Sequence, residues 1–404
     1  MKAEKVCVIG LGYIGLTLTL KLSAGGECVT GVDLNSDLVQ KLRDNNIEFV
    51  EQGLESVYYA ARENMICFSE SYPVADIYIV AVPTPYIEET KQIDTSYLCS
   101  AVSEILNVCA DDAVIVVEST IAVGTIDKYI RPLIAGRDIH LAHAPERIIP
   151  GNLVNELSYT NRVIGADSTI IGEKIKRLYS SFCKGEIITT TIQTAEMVKL
   201  VENTFRDVNI AYANEIAQIC NQAGVDVYEV IKIANMHPRV NIMKPGPGVG
   251  GHCIAVDPWF LVTSYPELTR LIHTARIVNN SMPEYVLLRV SEIIAACNVS
   301  KKYTIGLYGL TYKENVDDIR ESPTLQLLNN MRKHLAVEPI VYDPYISRQV
   351  VENQCSSFPE FLARADIVVI MVGHSHIIEN QKELLGKIVF DTRNAIQDIP
   401  TYKL

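Results

Sequence analysis

The chain has 404 residues, 48% of them hydrophobic and 21% charged, and carries a net charge of −12. That length allows a large core spread over two or three domains, while the acidic balance argues against a nucleic-acid or membrane-surface partner, since both are polyanionic. Ten cysteines without a C-x-x-C pair, no signal peptide and no membrane-length apolar run point to a reduced, cytoplasmic protein with no structural metal.

The first elements read as strand, turn, helix, strand, acid. Lys5 to Ile9 is a β-branched run, Gly10-Leu-Gly12-Tyr13-Ile14-Gly15 follows, Leu16 to Leu22 is apolar-periodic, and Cys28 to Val32 ends at Asp33. A lone G-x-G-x-x-G is weak evidence, but this one leaves a strand, opens a helix and has an acid about twenty residues on, which is the setting of a dinucleotide site. The glycines admit a pyrophosphate against the helix N-terminus. Asp33 would accept the ribose hydroxyls and repel a 2′-phosphate, so NAD is expected over NADP.

Two further runs, Asp76 to Pro83 and Ala113 to Thr120, are the continuous apolar stretches of parallel strands covered on both faces. Ligands of doubly wound sheets lie at the carboxyl ends of strands, so the loops carrying Pro83, Thr84 and Glu118-Ser119-Thr120 should face the nicotinamide half of the cofactor. From Thr194 to Ala223 the pattern is one long helix, with Met197, Leu200, Val201, Phe205, Val208, Ile210, Ala213, Ile216 and Ile219 as its apolar positions. After Tyr303 the βα rhythm returns, with strands expected at Thr304–Gly309, Pro339–Asp343, Ile367–Met371 and Lys387–Asp391. The fold class is therefore α/β, with two Rossmann-like doubly wound parallel-sheet domains joined by a long central helix. The expected boundaries are 1–192, 193–298 and 299–404, and no internal repeat is visible.

Between the helical segments lies Pro245-Gly-Pro-Gly-Val-Gly-Gly-His-Cys-Ile-Ala-Val-Asp-Pro-Trp259, a stretch too rich in glycine for a packed helix or strand. Gly246, Gly248, Gly250 and Gly251 let main chain approach a ligand, and His252 and Asp257 bring titratable groups near the Cys253 sulfur. Cys253 is thus the candidate nucleophile. A structural cysteine is the alternative, although such thiols sit in apolar periodic segments. For Asp257 the alternative to a catalytic role is a turn former before Pro258. Adjacent side chains in an extended loop commonly point apart, which makes His252 structural rather than catalytic.

Gly10 to Gly15, Glu118-Ser-Thr120, Ala144-Pro-Glu146, Lys199-Leu-Val-Glu-Asn203, Gly250-Gly-His-Cys253 with Asp257, and Gly309-Leu-Thr-Tyr-Lys313 through Asp318-Ile-Arg-Glu-Ser-Pro323 follow one another in the order seen in the UDP-glucose/GDP-mannose dehydrogenase family of nucleotide-sugar dehydrogenases, which the whole chain resembles. Phe205 to Ala211, His237 to Ile242 and the thiol loop resemble most the branch acting on UDP-N-acetylmannosamine in surface-polysaccharide synthesis, with UDP-N-acetylglucosamine as the alternative sugar. The resemblance implies a four-electron, NAD-dependent oxidation of the sugar C6 alcohol to a carboxylate through a thiohemiacetal and thioester on Cys253. It makes Lys199 and Asn203, one helical turn apart, the stabilisers of the C6 oxygen, and Glu146 the base for thioester hydrolysis, with Thr120 and Asp257 ordering water and lysine. It also implies substrate contacts from Lys313, cofactor contact from Arg320, and Arg239 reaching a neighbouring subunit, hence at least a homodimer. Arg393 sits in a matching loop, and Arg147 is a further phosphate candidate whose alternative is a solvated charge. A two-electron dehydrogenase needs no nucleophilic thiol, and a non-catalytic nucleotide-binding protein would not need Glu146, Lys199, Asn203, Cys253 and Asp257 together.

Overall fold

The computed structural model describes residues 4–47, 53–64, 66–148, 152–297, 303–334 and 338–404. The chain divides into two compact units, one of residues 1–201 with 259–264 and one of residues 202–258 with 265–404.

The first unit is built on an eight-stranded sheet. Its strands are β1 (Lys5–Ile9), β2 (Cys28–Val32), β3 (Cys67–Ser69), β4 (Ile77–Val80), β5 (Ala113–Val117), β6 (Ile139–His143), β7 (Arg162–Ala166) and β8 (Ile187–Thr190), in spatial order 3-2-1-4-5-6-7-8. The order reverses between β1 and β4, and the crevice at such a switch point is where a doubly wound sheet binds ligand. All residues of β4 and β5 are buried. Alternate residues of one strand feed opposite layers: Val6 and Val8 pack with Leu18, Leu22, Ile77 and Val116, whereas Cys7 and Ile9 pack with Tyr78, Val80, Leu98 and Val102. This period of two explains why the runs lack polar positions. Each such Val, Leu or Ile contributes about 1.5–3 kcal/mol by leaving water.

The expected doubly wound sheet is parallel at every pair but one. β6 and β7 pair antiparallel, with Ala142 opposite Ala166 and His143 opposite Gly165. Only seven residues of helix (Leu153–Tyr159) lie between those strands among the described residues.

The second unit carries a five-stranded parallel sheet of β9 (Ile305–Tyr308), β10 (Ile340–Tyr342), β11 (Ile367–Ile370), β12 (Ile388–Asp391) and β13 (Tyr402–Lys403), in order 10-9-11-12-13. Four of these strands were expected; the short edge strand β13 was not, since two residues give no period to read. The unit also repeats the first unit's β1-turn-β2 geometry, which no sequence repeat announced. Gly10 (φ 88°) and Gly309 (φ 96°) both end their strands in the left-handed region that favours glycine. Gly10 N–H donates to Val32 O and Gly309 N–H to Tyr342 O, both at 2.8 Å. The next residue, Leu11 or Leu310, donates its N–H to the acid at the end of the neighbouring strand, Asp33 or Asp343.

The long helix runs Ile192–Ala223, two residues earlier than expected. Its buried face is only partly the one drawn from hydrophobicity, which placed Leu200 and Ala213 correctly. Leu200, Asn203, Thr204, Asp207, Ala211, Asn214, Ala217 and Cys220 are buried, whereas Val201, Phe205 and Ile219 are 49%, 61% and 55% exposed. Buried Asp207 is matched by Arg276 Nη1 at 2.6 Å and Asn279 Nδ2 at 2.8 Å from the helix Arg270–Ala296. A polar side chain whose hydrogen bonds are met inside the fold can take a core position that composition assigns to an apolar one.

Candidate active site

In the first unit the glycine turn fits a dinucleotide. A Cβ on Gly15 would lie 1.8 Å from Gly10 O, so the helix Tyr13–Ala24 can press on the turn only without a side chain there. A Cβ on Gly12 would meet nothing within 4 Å, leaving the space above that residue open. The helix has no acidic residue in its first turn and no side-chain cap, which leaves its positive end and N–H groups available to phosphate. Tyr13 is 41% exposed at that end, and Ile14 follows it, half-buried. Asp33 closes the crevice, accepting Leu11 N–H at 2.8 Å and Asn35 N–H at 2.9 Å. The loops after β4 and β5 are tied together, with Thr84 Oγ1 donating to Thr120 O and Ser119 Oγ to Val82 O at 2.7 and 2.6 Å. Pro83 is exposed and Thr84 buried. These residues fit NAD.

Glu146 follows β6 and is buried. One carboxylate oxygen accepts the Arg147 backbone N–H at 2.6 Å and the other is paired with Arg162. Arg147 itself turns to Asn161 O at 2.8 Å. Glu118 was expected to face the ligand through its loop; instead it lies in the interior, bonded to Arg162 Nη1 at 3.0 Å and to the Tyr179 hydroxyl. Burial first, and then the nearby Glu146 charge, push its carboxyl up, against the pull of Arg162, to about 7. Lys199 is buried on the long helix. His143, the last residue of β6, bonds Val117 O through Nδ1 at 2.8 Å, while Nε2 is buried without a hydrogen-bond partner. Desolvation, with the Lys199 charge added, pushes this imidazole down to about 4, so it stands neutral. The sequence reading missed Arg162, Tyr179 and His143. The signals were a lone arginine opening the apolar Arg162-Val-Ile-Gly-Ala166 and a histidine just before Ala-Pro-Glu.

In the second unit Cys253 lies in irregular chain and is half-buried. That separates it from Cys7, whose thiol is buried and pushed up to about 12 by desolvation. The neighbouring imidazole does not point away as expected: His252 Nδ1 stands 3.8 Å from the sulfur. Just past Cys253 the chain turns into the helix Asp257–Ser264, and Asp257 N–H donates to Cys253 O at 2.8 Å. This tight turn allows two adjacent side chains to share one side. Asn203 Nδ2 donates to Asp257 Oδ2, and Arg206 donates to Asn203 Oδ1.

The glycines serve close packing. A Cβ on Gly250 would lie 2.5 Å from Glu321 O, and one on Gly251, 2.7 Å from the Tyr312 ring. Gly251 N–H donates to Arg320 O at 3.0 Å, and Arg320 forks onto Asp318 with its Nε and Nη2 at 2.6–3.1 Å. Lys313 follows Tyr312, half-buried. Arg393 Nη1 would be 2.5 Å from a Cβ on Gly246, and its Nη2 pairs with Glu314 at 2.9 Å. Thus Asn203, Gly250, Cys253, Asp257, Lys313, Arg320 and Arg393 belong to connected segments of one unit. Arg239 does not join them: it is exposed, and its backbone N–H bonds His237 Nδ1 at 3.3 Å.

A dinucleotide cradle at the switch point of the first sheet, in the unit that also buries Glu146 and Lys199, is the architecture of an NAD-dependent dehydrogenase. Family models agree: residues 4–183 match the NAD binding domain, 193–281 the central domain and 306–398 the UDP binding domain of the UDP-glucose/GDP-mannose dehydrogenase family. The chain belongs to that family, and is an NAD-dependent nucleotide-sugar dehydrogenase. It is 41% identical over 406 residues, 98% of its length and 93% of the relative's, to the UDP-N-acetyl-D-mannosamine dehydrogenase of Methanococcus maripaludis. It is also 41% identical to the NDP-N-acetyl-D-galactosaminuronic acid dehydrogenase of Ralstonia nicotianae, with 96% and 95% of the two chains covered. Among solved structures it matches that of UDP-D-ManNAc dehydrogenase from Pyrococcus horikoshii with a TM-score of 0.91 at 35% identity, covering 99% and 98% of the chains. No helix among the described residues is long and apolar enough to cross a membrane.

Proposed function

We propose that the protein oxidises the C6 alcohol of UDP-N-acetylmannosamine to the uronic acid in two successive two-electron steps, for surface-polysaccharide synthesis in the cytoplasm. The observation that carries the reading is the half-buried Cys253 thiol in its glycine frame with an imidazole at 3.8 Å, the setting of a reactive rather than a packing cysteine. Bound NAD⁺ supplies the hydride acceptor at each step. Gly10, Gly12, Tyr13, Ile14, Gly15, Asp33, Pro83, Thr84, Thr120 and Arg320 form its site. Lys199 and Asn203 hold the C6 oxygen as negative charge develops. The Cys253 thiolate adds to the aldehyde carbon, and loss of the second hydride converts the thiohemiacetal to a thioester. Glu146 takes a proton from the water that cleaves that thioester, returning the thiol and releasing the carboxylate, while Thr120 and Asp257 order water and lysine. Gly250, Lys313, Arg147 and Arg393 receive the UDP-sugar.

We also propose the three-domain division at 192/193 and 298/299, the latter boundary lying outside the described residues, and a homodimer in which Arg239 completes the neighbour's site. Phe205, Tyr212 and Leu271, 61%, 54% and 69% exposed, border an open apolar groove of about 360 Å³ of the kind that interfaces cover.

The test is NADH yield with UDP-N-acetylmannosamine, its glucosamine epimer and UDP-N-acetylgalactosamine, the last because of the galactosaminuronate relative. Two NADH per sugar with the mannosamine epimer preferred is the expected result, and Cys253→Ser should bind both ligands yet lose sustained turnover. One NADH per sugar, or two at an undiminished rate in Cys253→Ser, rejects the covalent route.

A further inference from the structure

The buried ion cluster behind Glu146 has no place in the chemistry so far. Arg162 is almost wholly enclosed, its side chain 5% exposed, and its guanidinium lies between two carboxylates, Glu118 at 3.0 Å and Glu146. The guanidinium carbon stands 5.0 Å from the centre of the Tyr179 ring and 5.5 Å from that of Phe182. The Tyr179 hydroxyl donates to the Glu118 oxygen that Arg162 does not take. Every heavy constraint on Arg162 comes from inside the first unit.

Sheet topology explains how the arginine gets there. β6 and β7 are antiparallel, with His143 opposite Gly165. Continuing that register by three residues sets Arg162 opposite Glu146. A parallel β7 would have put its first residue at the far end of the sheet. The one reversed strand therefore delivers a cation to the residue that follows β6.

A buried ion pair is weak evidence of stabilisation, because desolvating the charges offsets much of their attraction and a well-packed apolar set is often as stable. Position is a better account of it. A guanidinium held by a carboxylate at each Nη and lying over an aromatic ring has little freedom to pivot, and the Glu146 carboxylate, with one oxygen on that guanidinium and the other on the Arg147 backbone N–H, is held at both ends. We propose that Arg162, locked by Glu118 and Tyr179, is the positioning residue for Glu146, fixing its carboxylate for the hydrolytic half of the reaction and leaving the oxidative half untouched. The proposal rests on the role given to Glu146 under the proposed function.

The test separates the two halves in the NAD- and UDP-sugar-loaded enzyme. Arg162→Lys keeps the charge and loses the fork. Its first-turnover NADH burst and its NADH affinity should match wild type, its steady-state kcat should fall by about tenfold or more, and its KM should fall with it, leaving kcat/KM near the wild-type value. An acyl adduct on Cys253 should accumulate in the intact-mass spectrum. Tyr179→Phe, which removes one hydroxyl and keeps the ring, should shift the same quantities severalfold in the same direction, and it carries the test if Arg162→Lys does not fold. Glu146→Gln is the reference. If it accumulates adduct while Arg162→Lys and Tyr179→Phe turn over normally, or lose burst and steady state equally, the positioning role is wrong. If Glu146→Gln itself accumulates none, the role assigned to Glu146 fails first.

Discussion

Asp33 shows what one side chain contributes. Its carboxylate accepts the Leu11 and Asn35 backbone N–H groups and still has lone pairs for the two ribose hydroxyls of NAD, whereas the 2′-phosphate of NADP would bring two like charges to it. Wild-type enzyme should therefore prefer NAD by at least about a hundredfold in kcat/KM, a difference of about 2.7 kcal/mol or more. Asp33→Asn keeps an acceptor for the turn and removes the charge, so it should narrow that ratio about tenfold or more. Measuring kcat/KM with both cofactors decides; an unchanged ratio means that Asp33 does not meet the ribose. This acid was readable because its spacing from the glycines is set by local chain geometry. Arg162, His143 and the interior placement of Glu118 were not, since each depends on which strand lies alongside β6.

At the scale of an element, the turn between β1 and its helix makes a contrast testable within three residues. Gly15 has no room for a methyl group, its Cβ falling 1.8 Å from Gly10 O, while Gly12 has open space and φ −69°. Gly15→Ala must push the helix off the sheet, so loss of folded protein or a drop of several degrees in Tm is expected. Gly12→Ala should fold normally and bind NAD at least about tenfold more weakly, because the methyl group occupies phosphate space. Calorimetry and NADH titration of both variants read the two effects; equal Tm losses would remove the distinction. The long helix teaches the opposite lesson. Its periodicity gave its length to within two residues at the start, but its buried stripe carries Asn203, Asp207 and Asn214, and their partners Asp257, Arg276, Asn279 and Gly246 lie 32 to 72 residues away. No local pattern can announce such partners.

For the whole molecule, two buried groups of the first unit oppose each other in the pH dependence of stability. His143, held at about 4 against an ordinary 6.5, gains a proton only on unfolding between those values, so its contribution to stability is lost as pH falls through that window. Glu118, raised from 4.5 to about 7, holds a proton in the fold that the unfolded chain releases, so its contribution is lost as pH rises. In wild type the two slopes oppose each other between about pH 4.5 and 6.5. His143→Gln should leave a Tm that falls with rising pH, and Glu118→Gln one that rises. Calorimetric scans across that range check the signs; parallel profiles in the two variants would refute the assignment.

The sequence by itself determined the nucleotide cradle, the strand-and-helix rhythm of both ends, the long helix and the glycine frame around Cys253, because each is written in contiguous residues: glycine where φ is positive or backbones touch, apolar period where a layer is covered. Only the tertiary structure decided that β7 runs backwards, that Gly309 and Asp343 repeat the geometry of Gly10 and Asp33, that His252 turns toward Cys253, and that Glu118, Arg162 and Tyr179 stand behind Glu146. Those facts are set by long-range pairing, where a charged side chain is stable inside the protein only beside a partner that the chain brings from elsewhere.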